Sequence, residues 1–286
     1  MKKILILSLL MVFSFNASAQ HCRNEEKIVT TRLSLLTGSA AIADHYFSNQ
    51  QYLGSVLGAS VSFGSFYTKV DNLSWNLSAS YLGADGKKAS APTNAAGSSS
   101  LGVYDFEIDY GTAYNWNPAK NLYLRAGGKF NINAGAFYAP KSINNVLEFI
   151  MQPQLQAAAG IKYGWDINKV KLSLFADFDM PFMGFALVGS KYEGTKEVAS
   201  ILPNGLNKPT LNHFKFTSFH NLQGFDLNVG LDVQFRNFSL LGSIQSNCKW
   251  WNAYGVQCYK RYVLFNLGIA VDLVSRPRSA TNNRYF

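Results

Sequence analysis

Beyond its first residues, the chain has no continuous apolar segment of the ~20 residues that a membrane-spanning helix needs. Charged residues make up only 15% of the sequence. P-loop, dinucleotide-binding and kinase patterns are absent, and the histidines at 21, 45, 213 and 220 lack the spacing of metal ligands. We therefore predict no cofactor and no metal site. If the protein enters a membrane, it has to do so with strands.

The N-terminus has the pattern of a secretory signal peptide. Lys2 and Lys3 precede an apolar run at 4–15, and an A-x-A cleavage pattern follows at 17–19. No internal repeat or linker divides the rest of the chain. We predict a signal peptide at 1–19, an N-terminal periplasmic segment at 20–26, one barrel at 27–273 and a periplasmic tail at 274–286.

The segment 121–138 alternates between two kinds of side chain. Apolar and small residues from Leu122 to Ala136 occupy one parity, whereas Arg125, Lys129 and Asn131 occupy the other. Ordinary strands have about 5–6 residues and strands that cross a tilted membrane path about 9–11, so this strand is long by either standard. The same rhythm recurs at 72–81, 104–114, 170–180, 225–235 and 263–273, and more weakly at 27–40, 52–69, 150–165 and 238–250.

The predicted connections alternate strictly between short and long. Outer-membrane barrels have short periplasmic turns, long outer loops and an even number of strands. With the N-terminus in the periplasm, every short connection lies on the periplasmic side. The short connections are 69–72, 117–120, 166–169 and 236–237, and the long ones are 41–51, 85–99, 139–149, 187–220 and 251–257.

Alternation alone also fits a soluble lipocalin-like barrel, whose apolar side faces inward. The polar face is mostly Asn, Ser, Gly and Gln, which suits a crowded lumen better than a water-facing surface. Aromatic residues gather at the predicted strand ends, as in the two interfacial girdles of a membrane barrel. We therefore predict an all-β transmembrane antiparallel up-and-down β-barrel of about ten strands. The girdle candidates are Tyr114, Trp116, Tyr163 and Trp165 at one end, and Tyr81, Tyr138, Trp250, Trp251, Tyr254 and Tyr259 at the other.

Charged residues on the inward parity form a candidate lumen site. With a turn at 117–120, Glu107 and Lys129 are expected to lie opposite one another. The functional interpretation is a constriction that selects solutes or binds a cation. The structural interpretation is an ion-paired plug in a narrow barrel. We favour the plug, because a barrel of about ten strands has an interior little wider than its own side chains fill. The candidates are Asp105, Glu107, Asp109, Arg125, Lys129, Lys171, Asp177 and Asp179.

Three cysteines leave two interpretations open. Cys248 lies near the end of one predicted strand and Cys258 near the start of the next, so a disulfide between them is a candidate in an oxidising compartment. The alternative is two free thiols. Cys22 is predicted to be an unpaired thiol in the N-terminal segment.

Catalysis has two weak candidates. Asp44 and His45 lie in the first long loop, and Ser218, His220 and Asp226 lie beside the fourth. Neither set has a confirming signature around it, and a histidine in a loop is usually only a polar loop residue. We therefore predict no enzyme, with an outer-rim hydrolase as the remaining alternative.

The net charge of +9 comes from scattered basic residues, so we predict no nucleic-acid partner. A surface near anionic lipid headgroups fits this excess at least as well. The motifs at 44–48, 52–54, 122–128 and 180–184 resemble a family of uncharacterised outer-membrane β-barrel proteins of Bacteroidota type. The resemblance implies a barrel and no assigned activity, cofactor or catalytic residue.

Together these features predict a secreted protein of the outer membrane of a Gram-negative bacterium. Its expected role is a structural element or a small-solute conduit. The alternative is adhesion, in which the long loops bind another envelope protein or a glycan. Outer-membrane lipid is the expected surrounding partner.

Overall fold

The computed structural model describes residues 27–44, 51–67, 73–88, 100–138, 147–167, 170–187, 214–235, 238–253 and 256–274. All the regular elements in these ranges are strands. The described residues contain no helix that is long and apolar enough to cross a membrane. The strands are β1 Lys27–Asp44, β2 Gln51–Tyr67, β3 Leu73–Lys88, β4 Ser100–Ala119, β5 Leu122–Tyr138, β6 Leu147–Ile167, β7 Val170–Leu187, β8 Phe214–Ser218, β9 Leu222–Gln234, β10 Phe238–Ala253 and β11 Val256–Val274.

The strands form one closed antiparallel barrel. Each strand from β1 to β7 pairs with the next, and β9, β10 and β11 continue the sheet until β11 pairs with β1. The short β8 and the following β9 both pair with β7, so they share one place in the barrel wall, which therefore has ten positions. Among the described residues, β8 pairs with no strand other than β7. The predicted ten-stranded up-and-down topology is confirmed.

Two tight connections differ from the predicted ones. β4 continues to Ala119, and its turn to β5 consists of Lys120 and Asn121 rather than 117–120. Asn121 has a φ of 66°, a left-handed conformation that asparagine tolerates better than most residues. At the opposite end of the barrel, β10 and β11 are separated only by 254–255, so most of the predicted loop 251–257 is strand.

We call the end with the β4–β5 turn the turn end and the opposite end the loop end. The structure extends the strands at the loop end beyond the predicted limits, to Asp44, Lys88 and Leu187, and places β8 inside the predicted loop 187–220. The predicted signal peptide, N-terminal segment and tail beyond Val274 lie outside the described residues, as do His45, Tyr254 and Cys22.

The outward face of the wall is apolar. Leu35 of β1, Leu57 of β2 and Leu267 of β11 are 68%, 69% and 69% exposed, and Leu35 and Leu267 are directly paired in the register. Large exposed apolar side chains recur on every strand of the barrel, including Phe216 on the short β8, which suits lipid and not water. The protein is a barrel of the membrane type and not a lipocalin-like one, whose apolar face would line the interior.

Aromatic residues mark both edges of this outward face. Tyr114 and Trp116 stack at the turn end, and Tyr163 meets Trp165 edge to face beside them. Tyr138 is exposed at the loop end of β5, whereas the exposed Tyr81 lies opposite Ala59 in the middle of the wall, because β3 continues to Lys88. Trp251 was expected in the same girdle, and that prediction is wrong, because its parity on β10 turns the ring inward, where it is 0% exposed.

Candidate functional site in the barrel lumen

The lumen is apolar near the loop end. One continuous cluster of buried side chains there receives residues from every strand position of the wall. Four of its members, Ile42, Leu101, Phe137 and Trp251, are 0% exposed. Burial of each such side chain contributes about 1.5–3 kcal/mol. We call this group the outer apolar layer. Its other members are Leu36, Ala40, Tyr52, Val56, Leu82, Ala84, Val103, Ile150, Ala186, Leu222, Cys258, Tyr262 and Leu264.

Ion pairs fill the lumen from this layer toward the turn end. Five lysine or arginine side chains each contact one carboxylate of another strand, and we call these pairs the ionic section. They are Lys260–Asp105 at 2.6 Å, Lys249–Glu107 at 2.6 Å, Lys129–Asp179, Arg125–Asp177 at 2.9 Å and Lys162–Asp232 at 3.1 Å.

Lys260 joins the two regions. Its Nζ donates to Asp105 Oδ1, and it lies 4.8 Å from the ring centroid of Phe137 and 5.5 Å from that of Trp251. The Tyr262 hydroxyl donates to the other oxygen of Asp105. Asp105 is therefore satisfied on both oxygens, although it is only 3% exposed. The outer apolar layer is therefore in direct contact with the Lys260–Asp105 pair.

Amide side chains connect the acids in the middle of the lumen. Asn131 Nδ2 donates to Glu107 Oε1 at 2.6 Å and to Asp109 Oδ1 at 2.5 Å. Gln154 Nε2 in turn donates to Asn131 Oδ1 at 2.7 Å. Asn131 is 0% exposed and Gln154 1%, so this chain of hydrogen bonds is fixed in a dry environment.

All eight charged residues predicted for the lumen lie on its side of the wall. Seven of them line one cavity, and Lys171 lies apart at the turn end, where its Nζ is 5.5 Å from the ring centroid of Tyr123. The seven are Asp105, Glu107, Asp109, Arg125, Lys129, Asp177 and Asp179.

The expected pairing of Glu107 with Lys129 is wrong. The β4–β5 register places Glu107 opposite Asn133 and Lys129 opposite Gly111. The cause is the position of the turn, because a turn at 120–121 moves every cross-strand pair of this hairpin relative to a turn at 117–120. Lys129 therefore reaches Asp179 on β7, and Glu107 reaches Lys249 on β10.

Asp109 and Asp226 are held by neutral groups. Asp109 accepts from Asn131 and, at 3.4 Å, from Ser78. Asp226 accepts from Gln245 Nε2 at 3.1 and 2.9 Å and from Asn247 Nδ2 at 3.3 Å. Within the described part of the chain, neither carboxylate has a lysine or arginine at ion-pair distance.

A cavity of about 220 Å³ lies beside the ionic section. Its wall on β2 and β3 consists mainly of small hydroxyl residues, such as Ser62 and Ser78, and these short side chains leave the space that the cavity occupies. The cavity extends toward the turn end, where Thr30 and Ser74 line it. The outer apolar layer bounds it on the loop side through Leu36, Leu82 and Leu264.

The candidate disulfide is not formed. Cys248 and Cys258 are both in the reduced thiol form, and the register pairs Cys248 with Arg261 and Cys258 with Trp251. Cys258 has the inward parity of β11 and is buried, whereas Cys248 has the outward parity of β10. Side chains on opposite faces of a sheet cannot bring their sulfur atoms together.

The catalytic candidates are only partly assembled. Ser218 Oγ lies 2.6 Å from His220 Nδ1 at an exposed turn between β8 and β9. Asp226, the third candidate, points into the lumen and is bound by Gln245 and Asn247. Asp44 ends β1, and His45 lies outside the described residues.

Several charged lumen residues were missed by the sequence analysis. Asp226 and Asp232 belong to a strand whose inward parity was readable from the alternation. Arg32, Lys162 and Lys249 lie on weaker alternating segments, where that signal is faint. Lys260 precedes the alternating segment 263–273.

One protein family matches this chain over nearly its whole length. A family described as "Protein of unknown function (DUF3316)" matches residues 3–276. The chain belongs to the DUF3316 family. This confirms the expected membership of an uncharacterised family, while the Bacteroidota type stays a prediction. No curated protein matches this DUF3316 chain.

Solved barrels of outer membranes are similar to this DUF3316 chain in structure. The outer-membrane protease OmpT from Escherichia coli has a TM-score of 0.47 and 8% identity, covering 88% of this chain and 99% of that one. The translocator domain of the autotransporter NalP from Neisseria meningitidis has a TM-score of 0.39 and 12% identity, covering 94% and 97%. The toluene transporter TbuX from Ralstonia pickettii has a TM-score of 0.31 and 9% identity, covering 89% and 90%.

Proposed function

We propose that this protein is an integral outer-membrane barrel whose lumen is closed, and that it serves the envelope as a structural element rather than as an open pore. The observation that supports this proposal most strongly is the outer apolar layer. Trp251, Phe137 and Ile42 are fully buried in it, so hydrated solutes find no polar path at the loop end.

The ionic section supports the same role. Each of its pairs joins two strands that are distant in sequence, as Lys260 and Asp105 do across 155 residues. A solute that passed through the lumen would have to separate these pairs, and breaking a buried pair costs about 3–5 kcal/mol. Lys260–Asp105 and Lys249–Glu107 connect distant parts of the wall across the lumen, whereas the other three pairs connect strands separated by one neighbour.

Conductance in planar lipid bilayers tests the proposal. We expect the full-length protein to give no stable conductance steps. Phe137→Ala removes a ring from the outer apolar layer and is expected to raise the leak current. Tyr138→Ala is the matched control, because it removes a ring of similar size from the outward face of the same strand. Stable open-channel steps from the unmodified protein would contradict the proposal.

A gated small-solute conduit is the second candidate. The cavity favours it, since polar space already extends from the turn end to the middle of the lumen. The same recordings separate the two roles. Voltage-dependent opening of the unmodified protein, shifted by Phe137→Ala and unchanged by Tyr138→Ala, favours the conduit.

A further inference from the structure

The lumen cavity contains more carboxylates than cations. Seven acidic and six basic side chains line it. Five of the acids each have a lysine or arginine partner at 3.1 Å or less. Asp226 and Asp109 are held instead by neutral hydrogen-bond donors. An excess of carboxylates alone does not define a site, so the acceptors around Asp226 have to be considered.

Asp226 is oriented by amide donors and has no lysine or arginine at ion-pair distance within the described residues. Gln245 Nε2 donates to both of its oxygens, and Asn247 Nδ2 donates to Oδ2. Lys129 and Lys249 lie within electrostatic range of Asp226, and each already forms an ion pair with another acid. Asp179 and Glu107 are also in range, and their like charge adds to the negative potential at this point.

Two further oxygens beside Asp226 have no donor in the described part of the chain. Asn247 is 6% exposed, its Nδ2 is used by Asp226, and its Oδ1 is buried without a partner. Asp179 is 6% exposed as well, and its Oδ1 also has no hydrogen-bond donor. Both residues line the same cavity as Asp226. The site thus combines a carboxyl group that has no cation at ion-pair distance with two acceptors that have no donor among the described residues.

This combination suits a cation that carries several N–H donors. An ammonium group has three donors and no acceptor, and its bonds to carboxylates are strengthened by charge. Four other acids of the lumen, Asp105, Glu107, Asp179 and Asp232, each bind a lysine ammonium group in this way. A metal ion fits less well, since no group of three or more His, Cys, Asp or Glu within the described ranges is arranged to hold one.

We propose that the cavity binds the primary ammonium group of a small amine at Asp226, with Asn247 Oδ1 and Asp179 Oδ1 as further acceptors. The hydroxyl-rich wall of β2 and β3 accommodates the rest of the molecule. The binding site does not depend on whether the lumen conducts, so its failure would leave the closed-barrel proposal untouched.

Isothermal titration calorimetry of the full-length protein in detergent tests the site, with ethylammonium chloride as the probe at low ionic strength. Asp226→Asn keeps the size of the side chain and removes its charge, and we expect it to weaken binding about tenfold or more. Asp166→Asn is the matched control, because Asp166 is an exposed acid near the turn end of β6. We expect this control to bind the probe as the unmodified protein does.

A second variant guards against an effect of misfolding. Asn247→Ala retains Asp226 and removes one acceptor, so an intermediate loss of affinity is expected. Equal affinity of the unmodified protein and Asp226→Asn for ethylammonium overturns the proposal. An equal heat of binding from sodium chloride or tetramethylammonium chloride at the same concentration also overturns it, since neither ion can donate an N–H hydrogen bond.

Discussion

The outer apolar layer and the ionic section fill the same lumen by different means. The layer consists of side chains such as Ile42 and Phe137, which are stabilised wherever they exclude water. In the ionic section, each charge needs one particular partner at hydrogen-bond distance, as Lys249 needs Glu107. Apolar packing therefore tolerates small changes of shape, whereas the charged region depends on the correct number and position of partners.

The largest effect is expected where the two regions meet. Lys260→Met leaves Asp105 buried without its cation, and we expect a loss of about 3–5 kcal/mol in the free energy of unfolding. Urea unfolding of the protein in lipid vesicles measures it. The double variant Lys260→Met with Asp105→Asn removes both charges and is expected to recover most of the loss. If the single variant is as stable as the unmodified protein, the pair contributes little.

A somewhat smaller effect is expected within the outer apolar layer. Trp251→Ala removes a fully buried ring, and we expect a loss of about 3 kcal/mol, since neighbouring side chains can partly fill the space. Trp251→Phe preserves most of the contact, and among the residues that the structure describes the indole Nε1 has no hydrogen-bond partner to lose. We expect this control to remain close to the unmodified protein in the same urea titration. Equal losses from both variants would contradict the packing argument.

The smallest effect is expected at the turn end of the ionic section. Arg125 and Asp177 retain 14% and 16% side-chain exposure, so water partly screens their pair. Arg125→Met is expected to cost about 1 kcal/mol and to cost less at high salt. Urea titrations at low and high sodium chloride test this. A loss as large as that of Lys260→Met would remove the distinction between the buried and the partly solvated pairs.

The alternation of residues predicted most of the barrel wall. It predicted the ten strand positions and the inward side of Asp105, Glu107, Arg125 and Lys129, because the two-residue period is local and belongs to each strand by itself. The membrane orientation followed from the kind of polar residue on the inward face.

The rhythm fails at the loop end because the inward face is apolar there as well. Trp250 points outward and Trp251 inward on β10. Both faces therefore carry tryptophan, and the contrast between polar and apolar residues on alternate positions disappears. The segment 251–257 was predicted to be a loop for this reason. The outer apolar layer was invisible in the sequence, since it becomes a layer only when ten strand ends meet.

The partners in the lumen depend on register and closure. Lys260 and Asp105 lie 155 residues apart, and nothing in the local sequence selects that pair. One misplaced turn, at 120–121 instead of 117–120, was enough to assign Lys129 to the wrong acid. The role of this charged cluster stays a prediction that the proposed conductance and calorimetry experiments address.

The division of one wall position between β8 and β9 has a mechanical consequence. Near the rim, β8 is bonded to β7 on one side, and on the other side the turn after β8 meets β10 through a hydrogen bond from Asn252 N to Asn221 O. By contrast, β1 with β2 and β5 with β6 are joined by continuous ladders of such bonds. We therefore expect a lateral opening of the barrel, such as one that admits a lipid tail or a peptide between strands, to begin between β8 and β10.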